Sequence, residues 1–423
     1  MTFDAGVQRC FVYVHLPGRV GAVTAGRLEL SHDDRGEPVG RFIYGKRYLA
    51  RPDAVPLCPV ELPLLTRRFE TGRLGGLFGA FRDAGPDAWG RRVIERHAGR
   101  TGLSELDYLL LSPDDRAGAL SFGLNVEPPA PLRTFNQTLD LGHLQAIAAQ
   151  LLEEFAGKDA AVLQLSELLL VGTSMGGARP KAVVEDEEGL WLAKFNRPDD
   201  RWNQARVEHA LLRLARACGL DSAHSRVVQV AGRDVLLVKR FDRTKTVDGY
   251  TRARMVSALT LLRAEESGHR SEWSYPLLVE ELRRTSERPR DDAHELFGRI
   301  CFNALVSNTD DHPRNHAVLA RERGWRLSPA YDLTPSVPAS TERRDLALAV
   351  GDAGRWANAD NLLSQCERFL LRRDEAVALV DRVEATVKSQ WYGVARATGV
   401  TEQDCERLAG AFAYEGFRLP RAG

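Results

Sequence analysis

The 423-residue chain carries 58 Lys and Arg against 58 Asp and Glu, a formal net charge of zero. The overall basic surface that drives nucleic-acid binding is therefore absent, and such a contact would need a local patch. The length suits two or three domains with a sizeable core. The six cysteines (Cys10, Cys58, Cys218, Cys301, Cys366, Cys405) are scattered without a close pair, which speaks against a disulfide framework or zinc site and for reduced thiols. No charged-then-apolar leader opens the sequence, and no apolar run nears the roughly 18 residues of a membrane span. The expectation is a cytoplasmic protein without a membrane partner.

The first part, about residues 1–125, begins with strands. Cys10–Leu16 is apolar and aromatic, Gly18 marks a turn, Val20–Leu30 alternates loosely up to the polar His32–Glu37, and Gly40–Tyr44 gives another short strand. Helical patterning follows at Phe78–Phe81, and Asp83–Pro86 opens a helix over Trp89–His97. Arg91, Arg92 and Arg116 form either a binding face or an ordinary solvated surface. The three prolines of Val126–Pro131 mark a boundary.

The second part, about 138–245, carries phosphate-handling signals. A helical run through Ala160–Val171 ends at Gly172-Thr-Ser-Met-Gly-Gly-Ala-Arg-Pro-Lys181. Paired glycines let backbone N–H groups approach an anion, and Ser174 and Lys181 add side-chain donors. The Walker spacing is absent. Lys181–Val184 and Leu190–Phe195 flank an acidic turn and predict a hairpin whose second strand holds Lys194 among apolar neighbours. A strand lysine there either meets a partner, such as a nucleotide phosphate, or snorkels from an edge. Val207–Cys218 reads as a helix. Glu208 in its first turn either pairs with Lys194, as in kinases, or answers the helix dipole. A second hairpin, Arg226–Val230 and Val235–Val238, leads into Lys239-Arg-Phe-Asp242.

The third part, about 246–423, reads as helical at Val256–Leu262, Pro276–Arg283, Asp292–Ser307, Asn361–Leu371, Glu375–Trp391 and Asp404–Phe412. Trp391 and Tyr392 read as packing aromatics. The run with Leu296, Phe297, Ile300, Cys301, Ala304 and Leu305 at helical spacing stops at Ser307-Asn-Thr-Asp-Asp-His-Pro-Arg-Asn-His316. A hairpin follows, Ala317–Leu319 and Trp325–Leu327, and then Pro329-Ala-Tyr-Asp-Leu333. Acid, amide five residues on, short hairpin, acid: that order resembles the catalytic core of kinase-like phosphotransferases. The plain alternative is a solvated Asn/Asp/His turn.

Taken together, Gly172–Lys181, Val238-Lys-Arg-Phe-Asp-Arg243, Asn308-Thr-Asp-Asp-His-Pro-Arg-Asn315 and Ala330-Tyr-Asp-Leu333 resemble the HipA family of serine/threonine kinase toxins. Phe81–Ile94 and Leu109–Phe122 look like that family's N-terminal subdomain. The resemblance implies an α+β, protein-kinase-like two-lobed fold: an N-terminal subdomain over 1–125, a small lobe over 138–245 and an all-helical lobe over 246–423. It implies a Mg²⁺- and ATP-dependent kinase with Asp310 as catalytic acid, Lys194 on the phosphates, and Asn315 and Asp332 as Mg²⁺ ligands. Ser174, Gly176, Gly177, Ala178, Arg179, Lys181, Lys239, Phe241, His312 and Tyr331 would surround the nucleotide. Ser174 falls where the family's autophosphorylated serine lies, with Thr173 as a second acceptor. The implied partners are an aminoacyl-tRNA synthetase as substrate and a HipB-like helix-turn-helix antitoxin, which would supply the contact with DNA. Asp311 follows Asp310 where a Gly often stands, so the two acids are rival bases; the spacing to Asn315 favours Asp310. A phosphotransferase of small molecules or lipids and an inactive co-repressor scaffold are the rival functions.

Overall fold

Alternation of apolar residues in the first forty positions builds an antiparallel sheet. Its strands β1 (Gln8–His15), β2 (Ala22–His32), β3 (Pro38–Tyr44), β4 (Arg68–Thr71) and β5 (Leu120–Gly123) lie in the order β4-β3-β2-β1-β5. The computed structural model describes residues 7–131, 135–156, 179–266, 270–337 and 340–420. It divides into two compact units. Unit 1 holds Met1–Arg197, Leu237–Thr260 and Leu319–Gly324; unit 2 holds Pro198–Leu236, Leu261–Val318 and Trp325–Gly423.

In unit 1 the first sheet buries Val12, Val14, Leu28, Phe42 and Tyr44, at period-two positions of one face. Phe42 meets Phe81 edge to face at 5.3 Å, and Phe81 meets Phe122 at 5.6 Å, a preferred aromatic arrangement. Gly26 is needed there because a Cβ would lie 2.3 Å from the Ile43 carbonyl and 2.7 Å from the Phe42 ring. The helix Ala88–Ala98 starts where Asp87 accepts from the Gly90 N–H and ends at Gly99, φ +65°. The helix Glu105–Leu111 opens with a reciprocal capping box between Ser104 and Asp107. Arg116, read as a surface residue, is instead 1 % exposed and donates to the carbonyls of Ala84, Leu109 and Ser112. Arg91 pairs with Glu105 at 2.6 Å and covers the Tyr108 ring. Neither forms a free binding face.

A second strand system begins in unit 1. β6 (Asn136–Gln137) runs parallel to β7 (Lys181–Asp186), which pairs antiparallel with β8 (Gly189–Phe195), the expected hairpin. β9 (Ser225–Val230) and β10 (Arg233–Lys239) form the other expected hairpin, turning through Ala231 and Gly232, both at positive φ. From Leu237 onward β10 belongs to unit 1, and Arg240 N–H donates to the Leu190 carbonyl. The helical run expected over Ala160–Val171 lies outside the described residues.

Three strands were unforeseen after residue 242. β11 (Arg243–Thr246) and β12 (Gly249–Arg252) make a hairpin, and β13 (Arg254–Ser257) follows. Thr244, Thr246, Tyr250 and Thr251 suit strands, and Gly249 takes φ +133° at the turn. Val256–Leu262 is accordingly a strand end and a single turn, Ala258–Leu261, rather than a continuous helix. Asp83 fixes this switch by accepting from Ser257 N–H, Ser257 Oγ and Thr260 Oγ1.

Unit 2 is mainly helical, with Gln204–Ala217, Tyr275–Thr285, Pro289–Leu305, Ala359–Leu363, Arg373–Ala397 and Glu402–Leu408. Asn203, Ser274 and Thr401 cap three of these helices through their side chains, and Pro289 with Asp291 and Asp292 starts a fourth. The helix Pro289–Leu305 is buried along most of its length, and Phe297 packs on Phe369 at 5.3 Å. Trp391 stacks on Phe412 at 4.3 Å beside Val207, Ala210 and Leu408, while Tyr392 is 45 % exposed. The helix expected over Asn361–Leu371 breaks into Ala359–Leu363 and the 3₁₀ turn Cys366–Phe369, ended by Leu370 at φ +60°. β14 (Ala317–Ala320) and β15 (Arg326–Leu327) are the short hairpin read from the sequence. All six cysteines are free and buried. Among the described residues no helix is long and apolar enough to cross a membrane.

Candidate active site

The polar stretch of unit 2 becomes a loop because the buried helix Pro289–Leu305 ends against it. Ser307 takes φ +54° and Asn308 N–H returns to the Asn303 carbonyl. The next residues split by exposure. Asp310 is exposed; Asp311 is 1 % exposed. Asp311 Oδ2 accepts from Tyr275 OH, from Asn303 Nδ2 at 2.7 Å and from His316 Nε2 at 2.7 Å. Burial and the Asp311 charge hold the Tyr275 phenol well above its ordinary pKa, so it remains a donor. Of the two rival acids, Asp311 is committed to the interior and Asp310 is presented.

Asn315 sits opposite Asp310 in the same loop. Its Nδ2 donates to the Asp310 carbonyl at 3.3 Å and its N–H to the His312 carbonyl at 2.8 Å. This orients the amide so that Oδ1 is the end available to a cation. His312 caps the turn Pro313–Asn315, its Nδ1 accepting from Arg314 N–H at 3.2 Å. Arg314 pairs with Glu266.

The Pro329–Ser336 segment is tied to this loop at both ends. Ala330 bridges Ser222 in parallel, Tyr331 OH donates to the Arg314 carbonyl at 2.7 Å, Thr309 Oγ1 meets Ser336 Oγ at 2.8 Å, and Ser336 N–H reaches the Ser307 carbonyl. Between these ties stands Asp332, half-buried, at φ +57°. A non-glycine residue in that region is strained and needs its surroundings to hold it there. Asn315 and Asp332 are oxygen donors of the kind Mg²⁺ takes alongside phosphate oxygens, so the donor set fits that ion. Among the described residues no group of three or more His, Cys, Asp and Glu is arranged to hold a metal; an amide and one carboxylate completed by nucleotide oxygens is a smaller set than that.

Unit 1 holds the remaining sequence candidates. Lys194 is half-buried on β8, directly across from Lys181 on β7. Two like charges facing each other across strands are destabilising. The conflict is resolved at Lys181, whose Nζ lies 2.5 Å from Asp87 with the two side chains 2 % and 4 % exposed. The Lys181 charge is thus already matched by a carboxylate within the unit, a use the sequence reading did not foresee. Arg179 is the first described residue of the Gly-rich stretch and is half-buried; Ser174, Gly176, Gly177 and Ala178 lie outside the described residues.

In the Lys239–Asp242 segment the side chains alternate. Lys239 lies over the Trp191 ring at 5.4 Å and 3.7 Å from Glu188. The Phe241 carbonyl accepts from Arg321 Nη2 at 2.6 Å. Arg240 turns inward, fully buried, onto Asp242 at 2.8 Å and Asp115 at 2.7 Å, and Arg243 joins Asp242 at 2.7 Å. Asp242 also accepts from Gly118 N–H. This charge network was missed in the sequence. Its signal was the alternation of basic and acidic residues directly after the apolar strand β10.

The chain matches the HipA N-terminal domain over residues 19–123 and the HipA-like C-terminal domain over residues 173–391, the latter more than half of its length. It is 31 % identical over 175 residues to the candidate kinase Y4mE of Sinorhizobium fredii, covering 40 % of each chain. It is 28 % identical over 199 residues to the toxin YjjJ of Escherichia coli, covering 43 % of each. The chain thus spans under half the length of these two curated relatives. A solved structure from Shewanella oneidensis MR-1, titled as the toxin–antitoxin system HipA, HipB and operator DNA complex, superposes with a TM-score of 0.69 at 18 % identity over 95 % of this chain and 94 % of the other. That likeness establishes the fold: α+β and kinase-like.

Proposed function

The chain belongs to the HipA family, and on that premise we propose that it is a Mg²⁺- and ATP-dependent serine/threonine protein kinase, the toxin of a toxin–antitoxin pair. The observation that carries the reading is a division of labour: an exposed Asp310, an Asn315 oriented by the Asp310 carbonyl, and a strained Asp332 on a segment tied to the same loop at Arg314 and Thr309. This is the set of groups that phosphoryl transfer requires, and little covalent chemistry is asked of the protein beyond positioning and charge.

Asp310 orients the acceptor hydroxyl and takes its proton as the hydroxyl oxygen bonds to the γ-phosphorus and ADP leaves with the bridging oxygen. Asn315 Oδ1 and the Asp332 carboxylate hold Mg²⁺, which neutralises charge on the phosphates when bound. Lys194 binds the phosphates, and Lys239, Phe241, Tyr331 and His312 belong to the nucleotide site. The Gly-rich loop, with Ser174, Gly176, Gly177, Ala178 and Arg179, contributes donors, while Lys181, its charge matched by Asp87, anchors the strand that follows; phosphorylation of Ser174 or Thr173 switches the enzyme off by adding close to two negative charges there.

The substrate we infer is an aminoacyl-tRNA synthetase, and the partner a HipB-like helix-turn-helix protein through which DNA is contacted. The partner agrees with the HipB and operator DNA of the Shewanella complex, and the substrate rests on family membership; zero net charge agrees with an indirect DNA contact. Cytoplasmic action agrees with the free, buried cysteines. The test is phosphoproteomics of cells briefly expressing the wild-type chain or Asp310→Ala. One strongly phosphorylated synthetase, present only with wild type, is the expected result. No new phosphoprotein, with ATP still consumed by the purified chain, would replace this reading with a small-molecule phosphotransferase. Neither activity would leave a co-repressor scaffold.

A further inference from the structure

We infer that Asp311 is a positioning residue that clasps the catalytic loop shut, through His316. This rests on the proposed function only for the role given to Asp310. The spacing is the first ground. Asp310 and Asn315 are five residues apart, and Asp311 and His316, the residues immediately after each, are joined at 2.7 Å. One side-chain bond therefore closes the loop at the two points where its functional residues emerge, and the loop's ends are fixed relative to each other without using either functional side chain.

The second ground is the anchoring of that bond to the unit's interior. Asp311 Oδ2 also receives Tyr275 OH, from the first residue of one helix, and Asn303 Nδ2, from near the end of another. Tyr275, Asn303, Asp311 and His316 are at most 3 % exposed. The His316 ring stands edge-on to Tyr275 at 5.6 Å, and its buried Nδ1 has no hydrogen-bond partner. A carboxylate oxygen only accepts, so His316 Nε2 carries the proton of this bond. Asn303 in turn accepts from Asn308 Nδ2 at 3.1 Å, so the network reaches the residue two before Asp310. Three donors on one buried oxygen exceed what a packing role requires of an acid next to the presented one.

The clasp is tested by pairing hydrogen exchange with kinetics on the intact chain. The variants are Asp311→Asn, His316→Phe and Tyr275→Phe; His316→Phe keeps the ring volume and carries the test if Asp311→Asn does not fold. The expected result for His316→Phe is exchange at the His312 and Asn315 amides faster by roughly tenfold or more, with unchanged protection in the helix Arg373–Ala397. The kcat should fall by about tenfold or more while KM for ATP stays within about twofold, the pattern of a lost transition-state interaction. Unchanged exchange overturns the clasp. So does an Asp311→Asn variant that loses activity with loop protection intact, because Asp311 would then act directly as the base. A wild-type chain with no phosphoryl transfer sinks the proposed function instead, and the exchange measurement still decides the clasp.

Discussion

Lys181 and Asp87 form an ion pair at 2.5 Å with the two side chains 2 % and 4 % exposed, 94 residues apart in sequence. Asp87 is at the same time the N-cap of the helix Ala88–Ala98. One carboxylate therefore joins the strand that leaves the Gly-rich segment to a helix of the N-terminal region, and it does so where water is excluded.

Breaking this pair from one side strands a buried charge. Asp87→Ala is expected to destabilise the chain by about 3–5 kcal/mol, more than a lost cap alone. Asp87→Ala combined with Lys181→Met should recover part of that. Denaturant unfolding of both singles and the double is the measurement, and simple additivity would mean the two charges are not coupled.

Asp310 is exposed and Asp311 buried, so substitutions at the two positions should separate activity from stability. Asp310→Asn should lower phosphoryl transfer by roughly 10²–10⁴-fold while unfolding free energy shifts by no more than about 0.5 kcal/mol. A phosphate-transfer assay beside a melting curve checks both halves; full activity in Asp310→Asn would return the base role to Asp311.

Asp332 supplies the only carboxylate in the proposed Mg²⁺ set. Asp332→Ala is expected to abolish Mg²⁺-dependent ATP turnover, since that carboxylate and one amide are what the chain contributes. Its positive φ gives Asp332→Gly a second readout: the glycine relieves backbone strain and should gain stability by roughly 1 kcal/mol while remaining inactive. Near-normal turnover in Asp332→Ala removes the residue from the site.

Acid should expose the Arg240–Asp242–Arg243 network. Burial pushes the Asp242 carboxyl up, but the guanidinium groups of Arg240 and Arg243 outweigh it and hold the group well below the usual carboxylate range. A depressed folded pKa gives stability that is complete above the unfolded value, about 3.9, and lost as pH falls below it. Wild type should therefore lose stability between about pH 5 and 2 more steeply than Asp242→Asn. Unfolding free energies across that window decide it, and equal slopes would mean another group carries the dependence.

At Gly26 the neighbouring chain is too close for any side chain, with the Ile43 carbonyl 2.3 Å from where a Cβ would stand. Gly26→Ala should cost roughly 1–3 kcal/mol through forced backbone movement, measured by thermal unfolding. An unchanged melting temperature would show that strands β2 and β3 can separate locally.

Local periodicity and turn chemistry settled much of this protein before any fold was known. The hairpins β7–β8 and β9–β10, the helices around Val207 and Leu296, and the loop from Asn308 to Asn315 were all legible, because strand alternation, helical spacing and Asn/Asp/Gly turns act over a few residues. The order of acid, amide, hairpin and acid was legible for the same reason. The strands after Arg243 were not: short segments with mixed charge give a weak period, and Asp83, far away in sequence, fixes where strand becomes helix. What only the tertiary structure decided is which charges face inward. Arg116, Lys181 and Asp311 read as surface or site residues and Arg240 went unread, yet each is buried against partners distant in the chain or, for Asp311, arriving from two helices. Burial of a charge is favourable only when its partners converge in space, and that convergence belongs to the packed molecule rather than to any stretch of it. Which of Asp310 and Asp311 is buried was of this kind, decided by Tyr275, Asn303 and His316.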